Sequence, residues 1–99
     1  MALTHFTFGT LGGGAGQHPT MLGTPIVSEG IATSGSNQST TAVALPRHNV
    51  VRVTTDTACY VSFGTSPDAT TAGTRMYLAA GVTEYFGVVA GQKGACVTA

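Results

Sequence analysis

Hydrophobic and polar residues alternate in short runs along the stretch Val50–Val88, and turn-forming residues separate the runs. Val51 and Val53, for example, fall on one face of such a run, with mainly polar neighbours on the other. Alternation with a period of two predicts β-strands, because successive side chains of a strand point to opposite faces. We therefore expect two hairpin-like units, Val50–Phe63 and Arg75–Val88, at the centre of the fold.

Three further segments have the composition of strands, namely Pro25–Thr33, Thr40–Leu45 and Ala95–Thr98. The first begins with a proline, which suits an edge strand because proline lacks a backbone N–H. No window of the chain has the spacing of apolar residues that a helix requires. Short strands with turn signals about every ten residues are typical of β-sandwiches and barrels. Residues 25–99 are therefore predicted to form an all-β domain, a small antiparallel β-sandwich or jelly-roll-like barrel.

Residues 1–24 differ from the rest of the chain because glycine is concentrated there, above all in Gly12–Gly16. Ordering glycine costs more conformational entropy than ordering other residues, and this segment has few side chains to offset the cost. We interpret residues 1–24 as an extended N-terminal arm that a partner orders; a disordered tail is the alternative interpretation. The expected partner-binding residues of the arm are its apolar side chains: Leu3, Phe6, Phe8, Leu11, Met21 and Leu22.

A long polar connection, Gly64–Thr74, separates the two central units. Asp68 within it suits a turn, because an aspartate side chain can hydrogen-bond the backbone two residues further on. Loops that a rigid scaffold positions often carry binding residues. We expect this connection to contact a partner through Thr65, Ser66, Pro67 and Asp68.

Charged residues make up only 8% of the chain, and the formal net charge is +0. Ordinary soluble domains have roughly 25% charged residues, and so little charge gives weak protection against association. This composition favours a protein that functions in an assembly. The basic residues are scattered, so we expect no binding to nucleic acid. Because no polybasic segment is present and no apolar run approaches the roughly 18 residues of a membrane span, we expect no membrane contact.

Candidate metal ligands are few. His5, His18 and His48 lie far apart, and no second ligand stands at a spacing that forms a site. Cys59 and Cys96 are not a CxxC pair, and each lies in a predicted strand. We interpret them as small buried hydrophobic residues and not as a disulfide. The sequence therefore predicts no metal ion and no cofactor.

Catalytic patterns are equally scarce. No serine lies in a G-x-S-x-G motif, and the four acidic residues stand in separate segments, so they do not suggest an acid–base pair. Glu84 lies inside the second central unit, and we expect it to pair with Arg52 or Arg75 across the sheet. We predict that the protein is not an enzyme, and a small hydrolase or lyase is the least favoured hypothesis.

Three tyrosines, Tyr60, Tyr77 and Tyr85, could form a stacking platform for a sugar or for single-stranded nucleic acid. Because basic residues are not interleaved with them, a role in the core or in a protein interface is the favoured interpretation. A carbohydrate-binding module would use one of these rings together with polar groups of residues 65–74.

Three segments carry a resemblance to known proteins: Val51–Thr70, Met76–Val88 and Gly91–Val97. They resemble a group of small phage structural proteins encoded among head and virion genes. The resemblance implies a compact β-sandwich or jelly-roll-like unit, and some proteins of this kind decorate or cement capsids. It transfers no catalytic or ligand-binding residue to this chain.

Together with the low charge and the predicted arm, this resemblance leads us to expect a non-enzymatic capsid decoration or cement protein. We expect a homotrimer that binds the major capsid protein and bridges neighbouring capsid subunits to stabilise the head. The N-terminus lacks the charged and apolar pattern of a secretory signal, so we expect synthesis in the host cytoplasm and a final location on the capsid surface of the virion. The alternative hypothesis is a tail- or fibre-associated module that recognises the host by binding carbohydrate.

Overall fold

The computed structural model describes residues 2–12, 20–21 and 26–99. These residues form ten β-strands, and no helix among them is long and apolar enough to cross a membrane. In chain order the strands are β1 (Leu3–Gly9), β2 (Leu11–Gly12), β3 (Thr20–Met21), β4 (Val27–Ala32), β5 (Gln38–Ser39), β6 (Val50–Thr55), β7 (Cys59–Gly64), β8 (Met76–Leu78), β9 (Thr83–Gly87) and β10 (Lys93–Thr98).

The strands form two four-stranded antiparallel sheets and a short two-stranded ladder of β2 and β3. The first sheet has the strand order β4-β1-β6-β9, and the second sheet has the order β5-β10-β7-β8. The two sheets enclose one apolar core, so the fold is a small antiparallel β-sandwich. The all-β prediction is therefore confirmed. So is the predicted edge strand near residue 30, because β4 ends the first sheet.

The core lies between the inward faces that the alternation in the sequence defines. Val51 and Val53 of β6 are fully buried, whereas Arg52 between them is exposed on the outer face. Phe6 of β1 meets Phe63 of β7 edge to face, with ring centroids 6.1 Å apart. The fully buried apolar side chains of this core are Phe6, Phe8, Val51, Val53, Cys59, Val61, Leu78 and Cys96.

The two sheets approach each other closely at Gly94 of β10. A Cβ atom at this position would lie 2.5 Å from Cδ2 of the buried Phe6 ring. Carbon atoms in good contact are about 3.5–4.0 Å apart. Glycine is needed here for space and not for backbone conformation, because the positive φ angles of the described glycines are at Gly81 and Gly91.

Within each of the two predicted hairpin-like units, the strands that follow one another in the sequence lie in different sheets. β6 belongs to the first sheet and β7 to the second, and β8 and β9 are divided in the same way. The prediction of two hairpin-like units is therefore wrong, because each short connection crosses from one sheet to the other. At the first crossing, Thr55 Oγ1 donates to the Thr57 carbonyl at 2.8 Å. Alternation identifies the side chains that face the core, but it does not identify the sheet that receives the next strand.

β1 is a central strand, which pairs with β4 on one side and β6 on the other. Phe6 and Phe8 are fully buried in the core. The prediction that residues 1–24 form an arm apart from the sandwich is therefore wrong for Leu3–Gly9. The two phenylalanines alternate with polar residues as in any core strand, and the glycine-rich run begins only after them. Most of the remainder of the predicted arm lies outside the described residues.

The predicted strand Thr40–Leu45 is also wrong, because β5 ends at residue 39. The backbone N–H groups of Thr41 and Ala42 donate hydrogen bonds to the carboxylate of Glu29. These donors are therefore not available to continue a ladder with β10. Thr40 N–H still donates to the Gly94 carbonyl of β10 at 2.8 Å, and the next bond of this kind runs from Ala44 N–H to the carbonyl of Gln92, just before β10, at 2.9 Å.

Candidate functional site

The edge strands of the two sheets lie along two sides of the sandwich, and these two sides differ in structure. We call the side formed by β4 and β5 the closed flank, and the side formed by β8 and β9 the open flank. β4 and β5 contact each other, and Phe63 of β7 contacts Phe86 of β9, so the first-named strand of each sheet order is at the closed flank and the last-named strand is at the open flank. The outer faces of the two sheets are the remaining large surfaces of the sandwich.

Glu29 of β4 joins the two sheets at the closed flank. Its carboxylate accepts hydrogen bonds from Ala42 N at 2.8 Å, from Thr41 N at 3.0 Å and from Thr41 Oγ1 at 3.1 Å. Partial burial raises the pKa of Glu29, but these hydrogen bonds together outweigh burial and hold the pKa below its ordinary value. The edge of the first sheet is thereby tied to the segment that follows β5.

The open flank exposes apolar side chains. Among the described residues eight large hydrophobic side chains are exposed, and five of them lie on or beside β8 and β9. Behind them, the half-buried rings of Phe63 and Phe86 lie 5.1 Å apart. Within the described chain β8 pairs only with β7, and β9 only with β6, so each strand has a free backbone edge. Exposed apolar side chains beside free strand edges mark sites of protein contact. The five are Met76, Tyr77, Val82, Tyr85 and Val89.

Glu84 is the charged residue of the open flank. It lies opposite Val53 in the register of β9 with β6, so it stands on the inward face of an edge strand, yet it is exposed. The predicted ion pairs with Arg52 or Arg75 are wrong. Arg52 lies on the outer face of the first sheet, and Arg75 contacts a ring on the second sheet. An inward-facing charge on an edge strand discourages pairing with the edge of another molecule.

An aromatic cluster lies on the outer face of the second sheet. Tyr60 of β7 is directly opposite Tyr77 of β8, and their rings meet edge to face with centroids 5.8 Å apart. The guanidinium of Arg75 lies over the Tyr60 ring, with Cζ 3.7 Å from the ring centroid. The Tyr77 side chain is 57% exposed. We call Tyr60, Tyr77 and Arg75 the tyrosine–arginine cluster, and it offers an exposed ring beside a fixed cation.

The predicted platform of three tyrosines is only partly assembled. Tyr85 is opposite Arg52 on the outer face of the first sheet. It therefore lies on the other side of the sandwich from Tyr60 and Tyr77, which belong to the second sheet. A ligand of small size can contact two of the three rings and not all of them.

The connection Gly64–Thr74 folds over the outer face of the second sheet. Ala69 is fully buried and packs against β10. Asn37 holds this contact: its Oδ1 accepts a hydrogen bond from Ala69 N at 2.8 Å, and its Nδ2 donates to the Pro67 carbonyl at 3.2 Å. The connection is thus a cover for the sheet as well as a surface.

The residues predicted to bind a partner through this connection differ in exposure. Thr65, Ser66 and Asp68 are exposed, whereas Pro67 is buried, so the prediction is wrong for Pro67. Asp68 forms a turn as predicted. Its carboxylate accepts hydrogen bonds from the hydroxyl and from the backbone N–H of Thr70, and these hold the pKa of Asp68 below its ordinary value.

The residues predicted to bind a partner through the arm are also dispersed. The two phenylalanines of β1 are in the core, so the prediction is wrong for them. Leu3 is half-buried, and Leu11 is exposed at the start of β2. Met21 belongs to β3, and Leu22 lies outside the described residues.

The histidines have separate environments. His5 is exposed on β1, and His18 lies outside the described residues. His48 is buried, and its Nδ1 accepts a hydrogen bond from Leu45 N at 3.0 Å. Within the described ranges no three histidine, cysteine, aspartate or glutamate side chains are grouped so that they could hold a metal ion.

Cys59 and Cys96 are buried, free thiols on the inward face of adjacent strands. Burial raises the pKa of both thiols, and hydrogen bonds with threonine hydroxyls, among them that of Thr4, only partly oppose this effect. A buried thiol with a raised pKa is a poor nucleophile. The interpretation of both residues as small core side chains is therefore confirmed.

Comparisons with protein-family models, with curated proteins and with solved structures find no match to this chain. The resemblance to small phage structural proteins therefore depends on its sequence segments alone. Any function must be argued from the surfaces described above, namely the open flank and the tyrosine–arginine cluster.

Sequence patterns only partly indicate these two surfaces. Arg75 stands two residues before Tyr77, and residues at this spacing share one face of a strand. This spacing predicts that Arg75 lies beside the Tyr77 ring. It does not predict the contact of Arg75 with Tyr60, because that contact depends on the register of β7 with β8. Met76 shares a face with the buried Leu78, and only its position on an edge strand leaves it exposed. Alternation does not tell which strands end a sheet.

Proposed function

We propose that the protein is a non-enzymatic structural protein of a phage virion, a capsid decoration or cement protein that binds the major capsid protein. The observation that supports docking is the open flank, where exposed Met76, Val82 and Val89 lie beside two free strand edges. The phage setting is supported by the sequence resemblance of residues 51–98.

The open flank suits binding by strand addition. An extended segment of a capsid subunit would add through backbone hydrogen bonds to the edge of β8, because β8 carries no inward-facing charge such as Glu84 of β9. The apolar side chains around it would then be buried, at about 25 cal/mol for each Å² removed from water. Only 8% of the residues are charged, so few charges must be desolvated when the surfaces meet.

Bridging would follow from the repetition of such contacts on a lattice. A copy that has bound one capsid subunit is held close to the neighbouring subunit and therefore binds it at a high effective concentration. A homotrimer would present three open flanks to the surrounding subunits. The added contacts would hold neighbouring subunits together and so stabilise the head.

Occupancy on phage particles tests this proposal. Particles assembled without the chain are incubated with the purified protein, sedimented and assayed for bound protein. We expect the double variant Met76→Lys, Val89→Lys to bind at least about tenfold more weakly, because charges would have to be buried at the interface. The matched control is Ile26→Lys, at a side chain of similar exposure just before β4. Wild-type occupancy of the double variant, or an equal loss in the control, would contradict docking through the open flank.

A second candidate function is a carbohydrate-binding module on a tail or fibre that recognises the host. The tyrosine–arginine cluster favours it, because the exposed Tyr77 ring lies beside the guanidinium of Arg75. Aromatic rings with a few polar groups are typical of small-ligand sites. The position of the chain in a reconstruction of the intact particle separates the two candidates: density on the head shell supports decoration, and density on a tail or fibre supports host recognition.

A further inference from the structure

Arg75 is a cation stacked on a ring, and its hydrogen-bond donors have no partner among the described residues. Its contact among the described residues is the Tyr60 ring, 3.7 Å below the guanidinium carbon, and it has neither a carboxylate partner nor a hydrogen bond within that part of the chain. A guanidinium carries five N–H donors in a rigid plane. Stacking on a ring limits the orientations of that plane, so the donors are arranged in advance for an anion. Carboxylates match this geometry because they accept two parallel N–H···O bonds.

Tyr77 provides a surface of a different kind next to this cation. Tyr77 is opposite Tyr60, and Arg75 lies over the Tyr60 ring, so both side chains stand on the outer face of the second sheet. The ring of Tyr60 meets the Tyr77 ring at an interplanar angle of 68° and thereby supports it. A supported ring that is 57% exposed presents a flat apolar face and a phenolic hydroxyl to solvent. It can pack against the C–H face of a sugar ring while its hydroxyl forms a hydrogen bond.

Within the described residues no carboxylate is paired with Arg75. The packed connection beside Tyr60 contributes one acid, Asp68, and its carboxylate is occupied by hydrogen bonds from Thr70. Glu29 is bonded at the closed flank, on the opposite side of the sheet order. Both carboxylates keep their charge, but neither engages the guanidinium of Arg75, so its donors are available to a negatively charged ligand.

We infer that the tyrosine–arginine cluster binds an acidic sugar residue of a cell-surface glycan, a uronic or sialic acid. Arg75 binds its carboxylate, and Tyr77 packs against its ring. This inference rests on the carbohydrate-binding candidate and names its ligand class. The size of the cluster favours a sugar over a protein, because one cation and one exposed ring match a single sugar residue, whereas a stable protein interface needs about 800 Å² on each partner.

Titrations of the full chain with D-glucuronate, with N-acetylneuraminate and with neutral D-glucose test the inference. Binding is followed by changes in backbone amide chemical shifts on a uniformly ¹⁵N-labelled sample. We expect at least one acidic sugar to shift amides of β7 and β8 with a dissociation constant of about 1–10 mM, which is typical of a contact of few atoms. Glucose should bind at least about tenfold more weakly, because it lacks the carboxylate that pairs with the guanidinium.

Variants with matched controls assign the site. Arg75→Gln and Tyr77→Ala should each weaken acidic-sugar binding by about tenfold or more, since each removes one of the two contacts. Arg52→Gln and Tyr85→Ala are the controls, because these residues form a neighbouring arginine and tyrosine pair on the outer face of the other sheet. Both controls should bind like the wild type. Thermal melting of every variant shows that the sandwich is intact.

The outcomes separate this inference from the function on which it rests. Equal affinity for glucose and for the acidic sugars would overturn the acidic ligand class but would leave carbohydrate binding in place. An absence of shifts with all three sugars at about 50 mM would overturn both. Equal losses in Arg52→Gln and Arg75→Gln would show that binding depends on overall charge, and this result would overturn the assignment to the tyrosine–arginine cluster.

Discussion

The closed flank and the open flank end the same two sheets, but they differ in what lies between the sheets. At the closed flank, the Glu29 carboxylate accepts three hydrogen bonds and ties β4 to the segment after β5. At the open flank, Phe63 and Phe86 remain half-buried, and Met76 is exposed in front of them. Both flanks end in edge strands, but at the closed flank a partly buried carboxylate and backbone N–H groups bond each other, whereas the open flank leaves apolar side chains exposed. The difference separates the surface that stabilises the monomer from the surface that is suited to binding.

The largest effect should come from filling the tight space near the closed flank. Gly94→Ala puts a methyl group 2.5 Å from the buried Phe6 ring, so the ring or the sheet must shift. We expect a loss of about 1–3 kcal/mol in the free energy of unfolding. Gly87→Ala on β9 is the control, because a Cβ there has no atom within 4 Å, and its effect should stay within about 0.5 kcal/mol. Urea denaturation measures both. Equal effects would show that the two sides are packed with the same tightness.

The fold could be predicted only as far as local pattern determines it. The bounds of β6, β7 and β9 follow from alternation within a residue or two, and the inward faces of Val51 and Cys59 follow as well. The assignment of strands to sheets does not follow, because a short connection can turn back in one sheet or cross to the other. The glycine-rich segment after β1 misled the interpretation of Phe6 and Phe8, since it suggested that the whole N-terminus lay outside the core.

A smaller loss should follow from removing the charge at the closed flank. Glu29→Gln can keep an acceptor at Oε1, which receives the three bonds, but it removes the charge that strengthens them and puts an amide N–H₂ where Oε2 accepts from Thr41 N at 3.3 Å. We expect a loss of about 1–2 kcal/mol in the free energy of unfolding. Glu84→Gln at the open flank should change it by less than about 0.5 kcal/mol, because Glu84 is exposed and forms no hydrogen bond among the described residues. A larger loss in Glu84→Gln would reverse the comparison of the flanks.

The contribution of Glu29 should also depend on pH. Partial burial raises the pKa of Glu29, but the hydrogen bonds from Ala42 and Thr41 lower it by more, so the folded-state pKa lies below the ordinary value of 4.5. The carboxylate therefore stabilises the fold fully above pH 4.5, and this stabilisation disappears as the pH falls through the folded-state pKa.

The difference in stability between wild type and Glu29→Gln isolates this effect. This difference in the free energy of unfolding should be constant at neutral pH and shrink below about pH 4.5. The lowered pKa of Asp68 changes the stability of both proteins equally, so it cancels in the difference. Chemical denaturation at a series of pH values measures it. A stability difference that stays constant down to low pH would show that the ionised carboxylate of Glu29 does not stabilise the closed flank.

The candidate sites depend on features that a single sequence reveals unevenly. The stacking of Arg75 on Tyr60 needs the register of two strands that a connection of more than ten residues separates, and residue patterns do not encode that register. The exposure of Met76 needs the knowledge that β8 ends its sheet. By contrast, the turn at Asp68 is a local property, because its carboxylate bonds a residue only two positions away, and the sequence indicates it directly.

The smallest effect on stability, and the sharpest test of the open flank, concerns Glu84. An inward-facing charge on an edge strand resists pairing with another edge, because pairing would bury the charge. We expect Glu84→Val to raise the mean mass in light scattering above that of the wild type at equal concentration, while its unfolding free energy changes by less than about 0.5 kcal/mol. Thr83→Val on the outward face of the same strand is the control, because it adds apolar area without removing the charge. An equal rise in both variants would show that added apolar area alone drives association. Unchanged masses in both variants would show that the free edge of β9 does not pair with a second copy of the protein.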